Sequence, residues 1–335
     1  LFRSASMIHN EMRKHGIKLV LGYTVEGFKE KDDRVEVLLK DNPSLQADMV
    51  VLAIGVTPDT VLAKEAGLEL GIKESIVVND RMETSVPDIY AAGDAVQVKH
   101  YVTGNDALIS LAGPANKQGR IIADNICGGD SRYLGSQGSS VIKVFDMTAA
   151  TTGINETNAQ KSGLEVDTVI LSPMSHAGYY PGGKVMTMKV VFEKETYRLL
   201  GAQIIGYEGV DKSIDVLATA IHAGLNATQL KDLDLAYAPP YSSAKDPVNM
   251  AGFMIDNIAK GTLKQWHLED MDKISKDKDV VLLDVRTVGE FSMGHIDGFK
   301  NIPVDELRER ISEIEKGKPV YLICQDRKST RLNSS

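Results

Sequence analysis

Thr84-Ser-Val-Pro-Asp-Ile-Tyr-Ala-Ala-Gly-Asp94 is the most strongly patterned stretch of this chain. It predicts a buried strand that ends in Gly93 and then in a carboxylate, Asp94. A glycine there lets a ligand approach the backbone closely. The carboxylate of Asp94 can accept hydrogen bonds from sugar-like hydroxyls, and the following helix can turn its N-terminus towards a phosphate. An Asp at the end of a strand can equally do no more than cap a helix.

Working outward, Met7, Ile8 and Met12 are spaced for a helix that stops at His15-Gly16. Strands are predicted over residues 17–21, 34–39 and 47–54. The last contains Met49-Val-Val-Leu-Ala-Ile54 and closes on Gly55, a continuous apolar run that suits a strand buried on both faces of an α/β domain. Residues 58–95 carry a second passage of short strands. From 109 to 126 the spacing turns helical until Gly128-Gly129. Residues 138–252 form a different unit, with strands at 140–145, 166–171, 185–192 and 199–205 and helices at 156–161 and 212–222. This order predicts an α+β module on an antiparallel sheet. A helical stretch at 250–259 precedes Gly261 and a final α/β unit, with helices at 268–275 and 304–314 and strands at 280–285 and 320–324.

The length, 335 residues, is that of two or three domains. With 43% hydrophobic and 25% charged residues, the composition is that of a soluble globular protein. A net charge of −8 argues against a nucleic-acid partner. No apolar run approaches the ~20 residues of a membrane helix. Cys127 and Cys324 are the only cysteines; a disulfide framework is excluded and a reducing cytoplasm is the default. Cys127, at a helix end, reads as a small buried hydrophobe. His176, His222 and His295 have no ligand spacing, so no metal is expected. The charge runs 29–34 and 306–318 read as solvated faces.

The Thr84–Asp94 pattern resembles the second FAD motif of the pyridine nucleotide disulfide oxidoreductases, whose Asp holds the flavin ribityl chain. By that resemblance Gly93, Asp94 and Ala95 are cofactor-binding residues. Leu111-Ala-Gly113-Pro114-Ala115-Asn-Lys-Gln-Gly-Arg120 resembles the family helix whose start lies beside the flavin ring, where backbone amides can stabilise a reduced flavin. Val51-Leu-Ala-Ile-Gly55-Val-Thr-Pro58 resembles the return from the NAD(P)H domain to the FAD domain. The fold class implied is α/β: a partial flavoprotein of two dinucleotide-binding domains (NAD(P)H-binding 1–57, FAD-binding 58–137), an α+β dimerisation domain at 138–255, and a partial rhodanese α/β domain at 265–325. Residues 326–335 read as a non-native tail.

Two further segments, His176-Ala-Gly-Tyr179-Tyr180-Pro-Gly-Gly183 and Tyr237-Ala-Pro-Pro-Tyr241-Ser-Ser-Ala-Lys245-Asp-Pro247, resemble the interface-domain loops of coenzyme A disulfide reductases. Tyrosines in such loops are also common as amphipathic packing residues. The resemblance makes Tyr179 and Tyr237 catalytic candidates that reach the active site of the other subunit of a homodimer. Tyr180, Tyr241 and Lys245 become substrate-binding candidates. NADH oxidases and peroxidases share the architecture.

Leu282-Leu-Asp284-Val-Arg286, Gly294-His-Ile-Asp-Gly-Phe-Lys-Asn-Ile-Pro303 and Val320-Tyr-Leu-Ile-Cys324 resemble successive signatures of a rhodanese domain. Cys324 stands where that family carries sulfane sulfur. Taken by itself it reads as a buried inert thiol, and with both upstream signatures as the nucleophile; Asp284 with Arg286 reads as easily as a structural ion pair as a functional one. The sequence departs from the family after Gln325, and no Gly-x-Gly-x-x-Gly loop or flavin-facing redox cysteine occurs. The chain therefore reads as truncated at both ends and is not expected to perform the reductase reaction alone. The full protein is expected to use FAD and NAD(P)H to reduce coenzyme A disulfide or a coenzyme A persulfide. The alternatives are an NADH oxidase and a non-catalytic sulfur-relay remnant.

Overall fold

A computed structural model of the chain describes residues 4–267 and 270–324. Two compact units result, Leu1–Ser136 and Gln137–Ser335. The expected tail at 326–335 lies outside the described residues.

The first unit opens with helix α1 (Ser4–Lys14). It stops where expected: Gly16 takes φ +80° and the Ile17 amide reaches back to the Met12 carbonyl at 3.0 Å, a left-handed turn that glycine makes without a Cβ penalty. Strands β1 (Val25–Lys31), β2 (Arg34–Leu39) and β3 (Asn42–Ala47) then form an antiparallel sheet in that order. Helix α2 (Val61–Glu65) precedes a small sheet of β4 (Ile76–Val77), β5 (Val96–Lys99) and β6 (Asp106–Ala107). Helix α3 (Ala112–Ile126) completes the unit. Its core is built on Met82, Val96 and Val98, with Ile109, Ile121, Ile122 and Tyr133 packed against them.

Two expected strands are absent from this unit. Residues 17–21 have no ladder, and 47–54 continue past β3 as irregular chain. Met49, Val51, Leu52 and Ile54 are exposed, Ile54 by 89%. A strand buried on both faces needs neighbours on each side. Among the described residues β2 already occupies the partner edge of β3, and nothing pairs with 49–54. The run is apolar as expected, but among the described residues no strand covers either of its faces. Cys127 also corrects expectation. It is exposed, because α3 buries Gln118 and Asn125 and the C-cap position lies off that face.

The second unit contains β7 (Ser140–Val144), β8 (Met147–Gly153), β9 (Val166–Leu171), β10 (Thr187–Glu193) and β11 (Leu199–Gly206). They form one antiparallel sheet in the order β7-β8-β11-β10-β9. Helices α4 (Glu156–Lys161), α5 (Val210–His222) and α6 (Pro247–Ala259) accompany the sheet. Val190, Val191, Phe192, Leu200, Ile204, Ile205, Leu217 and Ile255 are almost fully buried. Sequence pattern missed β8, because Met147-Thr-Ala-Ala-Thr-Thr-Gly153 is small and polar. It is a strand by pairing: Gly153 faces Gly201 across the ladder, where a Cβ on either would strike the other strand's backbone.

The last module pairs β12 (Val281–Asp284) in parallel with β13 (Lys300–Asn301) and β14 (Val320–Ile323), beside helices α7 (Met271–Ile274) and α8 (Val288–Met293). Leu283, Val285, Ile302 and Leu307 form its core. The helix expected over 304–314 is instead a run of turns with a 3₁₀ turn at Ile311–Glu313. Of its apolar residues only Leu307 is buried, while Val304 and Ile311 stay about half exposed, too little to hold an amphipathic helix.

A short connector ties this module to the antiparallel sheet by alternation. Gln265 donates to Asp167 Oδ1 at 2.9 Å and to the Thr168 carbonyl at 2.8 Å, and His267 Nε2 lies 3.2 Å from the same Asp167 oxygen. Trp266, between them, turns the other way. Its indole N–H donates to the Leu322 carbonyl at 3.3 Å and its ring stacks on Phe299.

Candidate functional site

Gly93, Asp94 and Ala95 form a 3₁₀ turn rather than the end of a buried strand. Tyr90 makes only an isolated bridge to Glu83, so the expected strand is too short to be one. Gly93 takes φ +85°, and its amide donates to Gln118 Oε1 at 2.7 Å. Gln118 is 1% exposed; it ties the turn to α3, and sequence reading passed over it as one more polar helical residue. A Cβ on Gly93 would lie 4.0 Å from the Ala115 side chain, so the turn rests on the first turn of the helix, where Gly113, Pro114 and Ala115 sit.

That helix end has no side-chain cap at Leu111. Asp94 does not cap a helix either. Its carboxylate is exposed and makes no hydrogen bond or ion pair among the described residues. A left-handed glycine, an unpartnered carboxylate and an uncapped helix N-terminus thus converge, and this combination fits a dinucleotide whose hydroxyls need an acceptor and whose anionic part needs amides. Behind it, burial pushes the Tyr133 phenol up, partly offset by its hydrogen bonds to Gln118 and Ser136. Gly55 takes φ +91° with no atom within 4 Å of its Cβ position, on the exposed segment described above.

In the second unit the structure brings together two candidates that are far apart in sequence. The phenol oxygens of Tyr179 and Tyr237 lie 2.7 Å apart. The hydrogen bond to Tyr179, then burial, then repulsion by the second phenol raise the Tyr237 phenol above the usual tyrosine range. Both side chains are exposed, Tyr179 by 76%. Tyr180 meets the buried His176 ring edge-on at 5.6 Å. Tyr241 is exposed, and Lys245 Nζ sits over the Phe253 ring at 5.4 Å.

In the third module Cys324 follows the end of β14 and packs against the core around Leu283. Asp284, fully buried, receives Arg286 through Nε at 3.0 Å to both oxygens and through Nη2 at 2.6 Å. Arg286 Nη2 also donates to the Gly294 carbonyl at 2.8 Å. The Asp284 bond chiefly raises the guanidinium pKa, opposed by burial, with a smaller contribution from Cys324. The ion pair thus holds the sequence's Gly294 signature against the strand end beside Cys324. The loop expected after Gln325 lies outside the described residues.

Residues 3–119 match the family model described as pyridine nucleotide-disulphide oxidoreductase, and residues 139–247 match the dimerisation domain of the same family. The chain belongs to the pyridine nucleotide-disulphide oxidoreductase family. Residues 267–334 match the rhodanese-like domain, so this member of the family carries that module too. It is 38% identical over 242 residues, 72% of the chain and 54% of the relative, to the CoA-dependent NAD(P)H sulfur oxidoreductase of Pyrococcus abyssi. It is 34% identical over 247 residues to the NADH oxidase of Methanocaldococcus jannaschii, covering 74% of the chain and 54% of that relative. Among solved structures it is similar to the reduced CoADR-RHD of Bacillus anthracis, with a TM-score of 0.91 and 45% identity over 97% of this chain and 58% of that one. The chain spans about half the length of the curated relatives it matches. The family's cofactors are FAD and a nicotinamide dinucleotide. No helix among the described residues is long and apolar enough to cross a membrane.

Proposed function

We propose that the full protein is an FAD-dependent NAD(P)H oxidoreductase that reduces coenzyme A disulfide or a coenzyme A persulfide, acting in the cytoplasm as a homodimer through residues 138–255. The observation that carries this reading is the 2.7 Å contact between the Tyr179 and Tyr237 phenols. Residues 1–57 and 58–137 contribute to the NAD(P)H and FAD domains, and 265–325 form the rhodanese domain.

When bound, FAD supplies two-electron transfer from NAD(P)H to a sulfur acceptor. Asp94 would accept hydrogen bonds from its ribityl hydroxyls, and the amides of Ala112 and Gly113 would face its negative charge. Reduction of one disulfide takes up two electrons and two protons and releases two thiols. The Tyr179–Tyr237 pair can donate a phenolic proton to a departing thiolate and take one back through the neighbouring oxygen, and the exposure of both rings leaves them accessible to a bulky thiol. Tyr180, Tyr241 and Lys245 flank the pair as substrate contacts. Cys324, beside the Asp284–Arg286 pair, would carry sulfane sulfur to or from the reductase, which favours persulfide as the acceptor.

The match to an NADH oxidase supports oxygen as a second reading. The test is NAD(P)H oxidation by the full-length protein with coenzyme A disulfide, coenzyme A persulfide or dissolved oxygen as acceptor. Thiol-dependent oxidation that falls in Tyr179→Phe and Tyr237→Phe supports the proposal. Oxygen consumption without thiol-dependent turnover would overturn it in favour of the oxidase.

A further inference from the structure

Tyr179 and Tyr237 lie on separate loops rich in Gly and Pro, Tyr179 exposed by 76% and Tyr237 by 44%. Packing holds the Tyr179 ring little, so its 2.7 Å contact with Tyr237 depends on how the backbone beneath joins the two loops. The two loops are joined there by a single backbone bond, from the Ala177 amide to the Ser242 carbonyl at 2.9 Å. On one side, the Ala177 carbonyl receives the Tyr180 amide at 2.9 Å. On the other, the Ala238 carbonyl, next to Tyr237, receives the amides of Tyr241 and Ser242 at 2.9 and 3.2 Å. Ser242 is thus the hub of both loops.

What holds Ser242 is Asp246. Asp246 is 3% exposed and Ser242 1%, and the Ser242 hydroxyl donates to Asp246 Oδ2 at 2.7 Å. Lys212 Nζ, from the first turn of α5, reaches the same oxygen at 3.0 Å. The other oxygen, Oδ1, receives the Val248 amide at 3.0 Å, and the Asp246 amide donates to Asn249 Oδ1 at 3.2 Å, so the residue also closes a capping box on α6. The two oxygens divide the work. Oδ1 caps the helix, as many buried Asp residues do. Oδ2 is turned away from the helix end to receive a hydroxyl and a cation, which capping does not require.

We propose that Asp246 is a positioning residue for the phenol pair: through Oδ2 and Ser242 it sets the distance between Tyr179 and Tyr237, with Lys212 balancing the buried charge. This rests on the reading of the pair as the proton donor in thiol release. Asp246→Asn separates the two duties. Asparagine caps a helix as well as aspartate does, while its amide in place of Oδ2 cannot accept from Ser242 or Lys212. Ser242→Ala removes only the hydroxyl and serves as the milder variant.

The experiment is NMR titration of ring-labelled tyrosine in the whole chain, with the Tyr237 resonance assigned by Tyr237→Phe. In the native background Tyr179→Phe moves the Tyr237 midpoint down. In Asp246→Asn and Ser242→Ala the midpoint starts at that lowered position, and adding Tyr179→Phe changes nothing further. In the full-length enzyme both variants lose kcat on the order of 10- to 100-fold at nearly constant KM, as expected for misplaced reacting groups. A native Tyr237 midpoint in both variants overturns the positioning role. If Tyr179→Phe itself leaves turnover unchanged while Asp246→Asn still uncouples the phenols, the positioning holds and the catalytic reading fails.

Discussion

The Tyr179 and Tyr237 phenol oxygens, 58 residues apart in the chain, lie 2.7 Å from each other at the surface of the antiparallel module. One must donate to the other, so the donor is held protonated by its neighbour. Replacing Tyr179 with Phe removes the main cause of the raised Tyr237 pKa. Tyr237 is expected to titrate closer to about 10, the ordinary tyrosine value, and tyrosinate absorbance near pH 10 then develops earlier than in the native chain. A later onset would mean that Tyr237 does not hold its proton through this bond.

Asp94→Asn separates cofactor binding from folding. The carboxylate has no partner among the described residues, so thermal stability should stay unchanged. Loss of hydrogen bonds to a charged group weakens binding by about 1.5–3 kcal/mol, or roughly 10- to 150-fold in Kd. Flavin fluorescence titration of the full-length apoprotein measures it, and an unaltered Kd would remove Asp94 from the cofactor site.

Gln118→Leu should behave in the opposite way. It strands the Gly93 amide that Gln118 Oε1 accepts at 2.7 Å, and an unsatisfied buried donor costs about 1–3 kcal/mol. Urea denaturation should show the lower midpoint at an unchanged slope.

The connector predicts a pH dependence. Burial pushes the Asp167 carboxyl up, but the bonds from His267, the Thr168 amide and Gln265, with the charge of His267, together bring it below the usual carboxylate value. A depressed pKa contributes stability above the unfolded-state value, about 3.9, and that contribution is lost as pH falls through the folded value. Trp266 is the only tryptophan, so its emission reports this connector directly. His267→Ala should shift the acid-induced red shift of that emission to higher pH. An unchanged midpoint would show that His267 does not hold Asp167.

Two glycine substitutions should have opposite signs. A Cβ at Gly252 on α6 would collide with the backbone of Leu230 and Lys231, so Gly252→Ala should cost about 1–3 kcal/mol through overpacking. At Gly119 on α3 a Cβ meets nothing within 4 Å, and Gly119→Ala should stabilise by roughly 0.5–1 kcal/mol. Differential scanning calorimetry of the two variants gives the comparison.

The sequence alone determined the local patterns: the helix stop at Gly16, α4 over Glu156–Lys161, and β9 over Val166–Leu171, the span it takes in the ladder with β10. These depend on periodicity and caps that neighbours in sequence supply. It also determined the family, because the Thr84–Asp94 and rhodanese signatures are contiguous. Tertiary structure decided the rest. An apolar run such as 49–54 reads the same whether or not a partner strand lies beside it, and β8 owes its existence to β7 and β11 rather than to its own small residues. Gln118 and Asp246 were invisible among ordinary polar residues because their roles are set by partners 25 and 4 residues away through side-chain atoms whose direction no pattern encodes. The phenol contact between Tyr179 and Tyr237 is of the same kind: the sequence supplied two tyrosines in Gly- and Pro-rich segments, and only the fold of two loops onto Ser242 put their oxygens within one hydrogen bond.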